Sequence, residues 1–374
     1  MENEITRRNF IKSMATGLAS ASLLTNLGSN ILASDDKEKL MQNDDLYIQT
    51  VRGRIKPDQL GMTLIHEHII VDFIGADKVD KNRYNPDEVF EVMLPYLKEI
   101  KGLGVTGFAE CTPMFLARDP ALLARLSEAV DMHIITNTGM YKEPYLPKYA
   151  FEKTADELAQ MWIQEIEQGI EDTNIKAGFI KIAVNPGSLI PIQQKIVHAA
   201  AITSKATGAT IASHTANGIA VMESLDILKS EDVPPNKFIF VHAGAEGDTK
   251  YHLSVAEQGA YVEYDSIGEG EANRYIQLIK MMLDKGYEDR LLLSQDAGWY
   301  NVGEPKGGNI RGFAYLIKGF VPLMEQSGID KKTIDKLLID NPAKALQIKS
   351  DNSEGVNPSG KAKSTFGKIK SQEH

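Results

Sequence analysis

The chain has 374 residues, of which 43% are hydrophobic and 25% charged, a single cysteine at Cys111 and a formal net charge of −10. This length and hydrophobic content suit one large α/β domain with a sizeable core. The acidic balance leaves no basic surplus to neutralise phosphates, which excludes nucleic acid as a general partner, and one cysteine excludes an intramolecular disulfide framework.

The N-terminal segment is similar to a twin-arginine export signal. Arg7 and Arg8 precede Phe10 and a weakly apolar stretch over residues 14–27 that is rich in Ala, Ser and Gly. Paired arginines before a soft hydrophobic region are typical of such signals, and the stretch is short for a membrane span. A basic disordered start is the alternative interpretation. We predict that residues 1–33 are a signal segment, that the protein is exported, for example to the periplasm, and that the processed chain has no stable membrane insertion.

Short apolar runs then alternate with helical patterns through a predicted catalytic domain at residues 34–348. The predicted strands are 63–70, 105–111, 133–138, 177–184, 209–213, 237–242, 259–264 and 290–295. The predicted helices include Pro86 to Lys101, Asp119 to Val130, Thr154 to Glu171 and Pro191 to Thr207. Eight buried strands separated by helices favour a closed parallel (β/α)8 barrel over an open sheet.

Two helix starts carry capping signals. Asp119 stands before Pro120, a pattern that predicts an N-cap rather than a metal ligand. Thr154 and Glu157 have the spacing of a capping box.

The composition changes again near the C-terminus. Residues 349–374 are rich in Ser, Gly, Asn and Lys and show no hydrophobic periodicity. This composition predicts a disordered tail. Its lysines leave open a weak basic anchor to an anionic surface.

Several predicted strands end in side chains that can bind metals. These side chains are His66, His68, Lys181, His214, His242 and Asp296. Residues i and i+2 of a strand share a face, so His66 and His68 should both face the barrel interior while Glu67 faces away. Because the C-terminal strand ends of a barrel converge on one mouth, we predict a metal centre there. A packed core histidine is the alternative for either His66 or His68 when the pair is considered alone.

Lys181 has two possible roles. A charged amine at the end of a buried strand would be costly. A neutral amine can instead react with carbon dioxide to give a carbamate, an anion with two oxygens that is suited to bridging two metals. Alternatively the ammonium pairs with a carboxylate such as that of Glu110. The residues alone leave both roles open.

The order and spacing of these motifs resemble the phosphotriesterase family of the amidohydrolase superfamily, from about Val51 to Leu346. The matching pieces are Gly61-Met62-Thr63 before His66-Glu67-His68, Glu110-Cys111-Thr112-Pro113 before Arg118-Asp119-Pro120, Asn137-Thr138-Gly139-Met140-Tyr141, Ile175 to Lys181, His214, His242, Leu293-Ser294-Gln295-Asp296, and Asn341-Pro342. The resemblance implies a TIM barrel with two divalent ions at the C-terminal ends of the strands. It also implies ligand roles: His66, His68 and Asp296 for one ion, His214 and His242 for the other, and an N6-carboxylated Lys181 that bridges both together with a hydroxide.

The implied site has a coherent chemistry. A histidine-rich set completed by oxygen suits zinc, although manganese, cobalt or iron could also occupy it. Asp296 is the carboxylate nearest the attacking oxygen and is expected to accept its proton. Tyr141 matches a family tyrosine near the metals and could donate to a substrate oxygen. A half-buried aromatic at a strand end is the alternative for Tyr141.

The chain departs from the lactonase members of the family near the substrate. The segment Val262 to Gly268 at the seventh strand has no arginine at the place where those members carry one beside an aspartate, and Gln295 stands where a histidine is common. The Gly-rich loop at residues 297–308 contains Trp299 and Tyr300, which we predict to be substrate-binding residues in an adaptable wall of the pocket.

These observations predict an exported binuclear metal hydrolase that acts on a small-molecule lactone or carboxylic ester. Hydrolysis of organophosphate triesters is an alternative. A non-catalytic binding protein on the same barrel is a second alternative, against which the intact ligand set argues. A homodimer is implied by the resemblance alone.

Overall fold

The computed structural model describes residues 45–350. Within this range, Leu46–Ile348 forms a compact unit. The predicted signal segment at residues 1–33 lies outside the described residues, as does all but the start of the predicted tail. No helix of the described part is both long and apolar enough to cross a membrane.

Most of the strands in this range belong to a barrel. The barrel strands are β3 (Thr63–Val71), β4 (Gly107–Glu110), β5 (His133–Ile135), β6 (Asn137–Thr138), β7 (Phe179–Ala183), β8 (Ile211–His214), β9 (Phe238–Val241), β10 (Tyr261–Tyr264) and β11 (Leu291–Leu293). Further strands are β1 (Leu46–Thr50), β2 (Gly53–Ile55), β12 (Gly298–Asn301) and β13 (Ile348–Lys349). Each of the eight predicted strands coincides with a barrel strand, β5 and β6 together covering the third.

The barrel is parallel and closed. Two sheets form the barrel. The first has the order β12-β3-β4-β5 and the second runs from β6 to β11, and only Thr136 separates β5 from β6. The ring closes between the ends of β3 and β11: Asp296 N donates to His66 O at 3.0 Å, and His68 N donates to Ala297 O at 2.9 Å. The predicted (β/α)8 barrel is thus confirmed.

Helices follow the strands along the chain. Their bounds are α1 (Pro86–Gly102), α2 (Pro120–Val130), α3 (Lys148–Glu152), α4 (Ala155–Glu167), α5 (Pro191–Thr207), α6 (Gly218–Ser230), α7 (Thr249–Glu257), α8 (Ala272–Asp284), α9 (Val321–Gln326), α10 (Lys331–Asp335) and α11 (Asn341–Leu346), with π-helical turns at Leu316–Phe320 and Lys336–Asp340. Helix α4 ends at Glu167, earlier than the predicted end at Glu171. Gly169, just beyond the helix, adopts a positive φ of 133°.

Both predicted caps are present. Asp119 Oδ1 accepts a hydrogen bond from Leu122 N at 3.1 Å, so this carboxylate caps α2. Thr154 Oγ1 accepts from Glu157 N at 3.2 Å, and the Glu157 carboxylate accepts from Thr154 N at 2.8 Å. These bonds satisfy amide groups that the first helical turn leaves without partners.

A small apolar layer fills the barrel below the mouth. It includes Phe179, Ala212, Tyr261 and Leu292, all buried. Because alternate residues of a strand share a face, the residue two positions beyond each of these also points inward, now at the mouth. In this way the layer directs side chains of successive strands into one site.

Candidate metal centre

The six predicted ligand side chains line one small cavity at the C-terminal mouth of the barrel. The residues that line it are His66, His68, Val71, Phe73, Thr112, Pro113, Leu116, Tyr141, Lys181, His214, His242, Asp296 and Trp299. Lys181 and His214 project into it because they lie two residues beyond Phe179 and Ala212 of the apolar layer. The structure therefore brings together residues that are separated by up to 230 positions in the chain.

The polar atoms at the centre are close to one another. Asp296 Oδ1 lies 3.1 Å from His68 Nε2 and 3.7 Å from His66 Nε2. Lys181 Nζ lies 3.3 Å from His66 Nε2. The rings of His214 and His242 have centroids 4.4 Å apart.

This donor set fits a divalent cation. Ligand atoms of His66, His242 and Asp296 all lie within 4.8 Å of one another. Asp296 Oδ1 is buried and has no hydrogen-bond partner among the described residues. A buried carboxylate oxygen without a donor is costly unless a cation or another donor satisfies it. Neutral imidazoles beside a carboxylate are what zinc and similar ions bind.

The protonation states agree with this fit. Burial, with the nearby charge of Lys181, lowers the pKa of His66 to about 3, so its ring is neutral at pH 7. Burial and the neighbouring His242 also lower the pKa of His214. Burial alone would raise the pKa of Asp296, but the adjacent His66 and His68 hold it below its usual range. The centre thus offers neutral nitrogen donors and one carboxylate anion.

Buried acceptors hold the outer nitrogens of the histidines. Glu263 Oε1 lies 2.7 Å from His66 Nδ1, and Asp265 Oδ1 lies 2.9 Å from His242 Nδ1. These carboxylates favour the tautomers that carry a proton on Nδ1, which leaves the Nε2 lone pairs directed at the cavity. The sequence interpretation did not assign a role to Glu263 or Asp265. The available signal was the i, i+2, i+4 spacing of Tyr261, Glu263 and Asp265 along β10 and the residue directly after it.

The hydroxyl of Thr112 holds the outer ring nitrogen, Nδ1, of His68. Its Oγ1 lies 2.8 Å from His68 Nδ1 and itself donates to Ile70 O at 2.9 Å. The hydroxyl proton is therefore committed to the carbonyl, and the oxygen can accept from Nδ1.

Two site residues adopt left-handed backbone conformations. The φ angle is 60° at His242 and 53° at Asp296. Such angles cost about 1–3 kcal/mol in a residue other than glycine and persist only where the surroundings enforce them. At Asp296 the carbonyl accepts from Trp299 Nε1 at 2.6 Å and from Arg311 Nη2 at 2.7 Å. These bonds hold the backbone of Asp296 in its left-handed conformation.

Lys181 does not pair with Glu110. The Glu110 carboxylate accepts instead from Ile69 N at 3.1 Å and Thr112 N at 3.2 Å. The backbone of Lys181 packs closely against Gly139. A Cβ at Gly139 would lie 2.2 Å from Lys181 O, so only a glycine fits there. The structure therefore shows no ion pair between Lys181 and Glu110, and carboxylation of Lys181 stays a prediction.

The predicted substrate residues occupy different positions. The Trp299 ring lies against His68, with centroids 4.5 Å apart, and lines the cavity. Tyr300 is only 4% exposed, donates its hydroxyl proton to Glu88 and does not line the cavity. Tyr141 Oη lies 3.1 Å from His214 Nδ1. Thus Trp299 and Tyr141, but not Tyr300, lie where a substrate at the centre would contact them.

A parallel barrel with a cluster of neutral imidazoles and a carboxylate at its C-terminal mouth defines a class of metal-dependent barrel enzymes. The model of the phosphotriesterase family matches residues 46–346 of the sequence. The chain belongs to the phosphotriesterase family, whose enzymes are hydrolases with two metal ions.

Curated relatives cover most of the chain. A phosphotriesterase homology protein of Escherichia coli is 28% identical over 295 residues, which span 78% of this chain and 99% of that protein. An aryldialkylphosphatase of Saccharolobus solfataricus is 27% identical, over 78% of this chain and 97% of that protein. An N-acetyltaurine hydrolase of Xenopus tropicalis is 26% identical, over 81% of this chain and 98% of that protein.

Proposed function

We propose that this protein is an exported hydrolase of a lactone or carboxylic ester that uses two divalent ions, most simply zinc. In this proposal His66, His68 and Asp296 hold one ion and His214 and His242 hold the other. An N6-carboxylated Lys181 bridges them. The observation that carries the proposal is the convergence of these side chains around a buried Asp296 oxygen that has no donor of its own.

The bound ions would supply a Lewis acid for the acyl oxygen and a water nucleophile that is deprotonated near neutral pH. Asp296 accepts the proton from the attacking water, for which its lowered pKa keeps it ionised. Burial raises the pKa of Tyr141 well above its usual range, so its hydroxyl stays protonated and can donate to a substrate oxygen. The aromatic face of Trp299 closes one side of the cavity and excludes water from it.

The names of relatives support a second substrate class. One relative is an aryldialkylphosphatase, which favours a phosphotriester as the alternative substrate. Another is an N-acetyltaurine hydrolase, which shows that the family's range extends beyond phosphorus esters. A binding protein without turnover is the remaining alternative, and the complete ligand set argues against it.

A panel of substrates tests the proposal. Purified protein loaded with zinc or manganese would be assayed on p-nitrophenyl butyrate, γ-butyrolactone and diethyl p-nitrophenyl phosphate. We expect turnover of the ester or the lactone to exceed turnover of the triester. The reverse order would establish the phosphotriester alternative. Absence of turnover on all three by protein that carries two metals per chain would contradict the hydrolase assignment.

A further inference from the structure

Lys142 places a half-buried ammonium group beside the candidate metal centre. It follows Tyr141 in the loop after β6, and its Nζ lies 2.9 Å from His214 Nε2. The same nitrogen lies 5.6 Å from the centroid of the Tyr141 ring, within the range of a cation–π contact. Among residues 45–350, no carboxylate forms an ion pair with Lys142, and His214 Nε2 is the acceptor nearest to its ammonium.

The contact with His214 cannot persist once this histidine binds a metal ion. If the ion takes Nε2, the lone pair that the ammonium uses is gone. If the ion takes Nδ1, the neutral ring carries its proton on Nε2, and an N–H group then faces another donor. In both cases the Lys142 ammonium loses its acceptor. It must then find another acceptor near the mouth of the cavity.

Within residues 45–350, the carboxylates close to the cavity already have partners. Glu263 and Asp265 are about 1% exposed and are engaged by His66 and His242. Asp296 lies beside His66 and His68. The carboxylates that line or support the cavity are therefore committed to the histidines, which leaves the Lys142 ammonium available to a ligand from outside the chain.

The rest of the mouth is aromatic. Phe73, which is 43% exposed, stacks on Trp299 with centroids 5.6 Å apart and meets the edge of Tyr145 at 5.4 Å. Tyr145 in turn contacts Tyr141 at 5.8 Å. Lys142 is not itself among the residues that line the cavity, but its Nζ contacts His214, which is. Small-molecule sites combine apolar walls with a few polar or charged groups that fix the orientation of the ligand. The whole chain carries a net charge of −10, so a cation beside the cavity increases the local attraction for an anionic ligand.

We propose that Lys142 binds an anionic group of the substrate, and hence that the natural substrate is an ester or lactone that carries a carboxylate or comparable oxyanion a few bonds from the scissile acyl carbon. This inference rests on the proposed function of the metal centre. The aromatic wall formed by Phe73 and Trp299 receives the apolar part of the same molecule. Lys142 thus determines specificity and takes no part in the proton transfer assigned to Asp296.

A matched pair of esters tests the charge preference. m-Acetoxybenzoate and m-acetoxybenzamide have nearly the same size and differ by one negative charge. We expect wild-type protein to hydrolyse the anionic ester with a higher kcat/KM than the neutral one. Lys142→Gln should lower this ratio at least about tenfold, whereas Lys142→Arg should keep most of it, because a charge-assisted contact to a carboxylate contributes on this order. Lys148→Gln removes an equal charge from an exposed lysine nearby and should leave the ratio unchanged.

A binding measurement gives a readout that does not depend on turnover. Calorimetric titration with m-hydroxybenzoate should show binding to wild-type, metal-loaded protein that Lys142→Gln weakens at least about tenfold. m-Hydroxybenzamide should bind equally to both proteins. Equal binding of the benzoate to both proteins would overturn the assignment of Lys142.

Two further outcomes separate the inference from the proposed function. If neither ester is cleaved, the hydrolase proposal fails, and the titration alone decides the role of Lys142. If both esters are cleaved with a ratio that Lys142→Gln does not change, the hydrolase proposal stands and the inference fails. Loss of metal from Lys142→Gln would also overturn the inference, because the ammonium would then serve to support His214.

Discussion

At the scale of single residues, Asp296 combines several demands. Its carboxylate lies beside two histidines, its φ angle is left-handed, and its carbonyl is held by Trp299 and Arg311. A side chain that is so restricted loses little conformational freedom when it acts on a substrate. The structure thus gives this carboxylate the fixed position that a proton acceptor needs.

Replacing Asp296 tests its predicted role as proton acceptor. We expect Asp296→Asn to lower kcat by roughly a hundredfold or more, because an amide cannot accept the proton. The measurement is steady-state hydrolysis of the best ester, with metal content determined on the same sample. Asp289→Asn, at a partly exposed carboxylate that pairs with Lys336, serves as the control. Near-normal turnover in metal-loaded Asp296→Asn would count decisively against the role.

Replacing Lys181 tests the predicted carbamate. If Lys181 carries the predicted carbamate, Lys181→Ala removes two ligand oxygens and a negative charge between two cations, so we expect weaker binding of at least one ion and a collapse of activity. Acetate or propionate can enter the vacated space and should partly restore both. Lys176→Ala, a lysine just before the same strand, is the control.

The measurements are metal content per chain and ester turnover, with and without added acid. Two tightly held ions in Lys181→Ala would rule out the bridging role. Failure of small acids to restore either quantity would favour a purely structural lysine.

At the scale of elements, β10 supports the site without offering a predicted ligand. Asp265, the residue directly after β10, accepts from both the backbone N of His242, at 2.8 Å, and the side chain of the same residue. One carboxylate therefore fixes the strained backbone and the ring orientation of His242 together. Support of this kind is commonly worth 10–100-fold in metal affinity.

Asp265→Asn should weaken binding of the more labile ion by about 10–100-fold, because the amide offers one acceptor oxygen where the carboxylate accepts from both the backbone N and Nδ1 of His242. Competition with a chelator of known affinity measures this change. Asp284→Asn, at the exposed end of α8, makes the same substitution away from the site and should have no effect. Unaltered metal affinity in Asp265→Asn would show that His242 keeps its orientation without this partner.

The elements also show how far the sequence can predict the structure. All eight barrel strands and the convergence of their end residues were predictable, because apolar runs and the i, i+2 rule depend on local periodicity. The left-handed turns at His242 and Asp296 were not, since tertiary hydrogen bonds impose them. Nor was the contact of Lys142 with His214, which joins residues 72 positions apart.

Loop residues were harder still to predict. Trp299 and Tyr300 are neighbours, and both were predicted to contact substrate. Only Trp299 faces the cavity, while Tyr300 turns toward Glu88. Composition predicts that such a loop forms a wall, but the side that each residue faces depends on packing against other elements.

At the scale of the whole molecule, metal and fold should stabilise each other. An ion that binds only the native barrel adds about 2.7 kcal/mol to the free energy of unfolding when its free concentration is a hundred times its Kd. We expect removal of the ions with a chelator to lower Tm, with recovery when zinc is added back. In Lys181→Ala, the chelator should lower Tm by less than it does in the wild-type protein. A Tm that is unaffected by complete removal of metal would indicate that the empty and loaded centres are equally stable.

Export is also a property of the whole chain. The double substitution Arg7→Lys with Arg8→Lys should leave the protein in the cytoplasm, still folded, because the paired arginines are the core of the predicted signal. The double substitution Lys37→Arg with Lys39→Arg keeps the charge of a nearby segment and is the control. Fractionation of cells that produce each variant measures the outcome. Unchanged periplasmic accumulation of the arginine variant would defeat the prediction.

The seam that closes the barrel sets the order of events during synthesis. Residues 296 and 297 bond to His66 and His68, so the segment that completes the ring also delivers the last predicted metal ligand. A nascent chain that has not yet released this segment from the ribosome has neither a closed barrel nor a full ligand set. Under the ligand set proposed above, tight metal binding requires residues 296 and 297, and chains that terminate before them are expected not to sequester the ions.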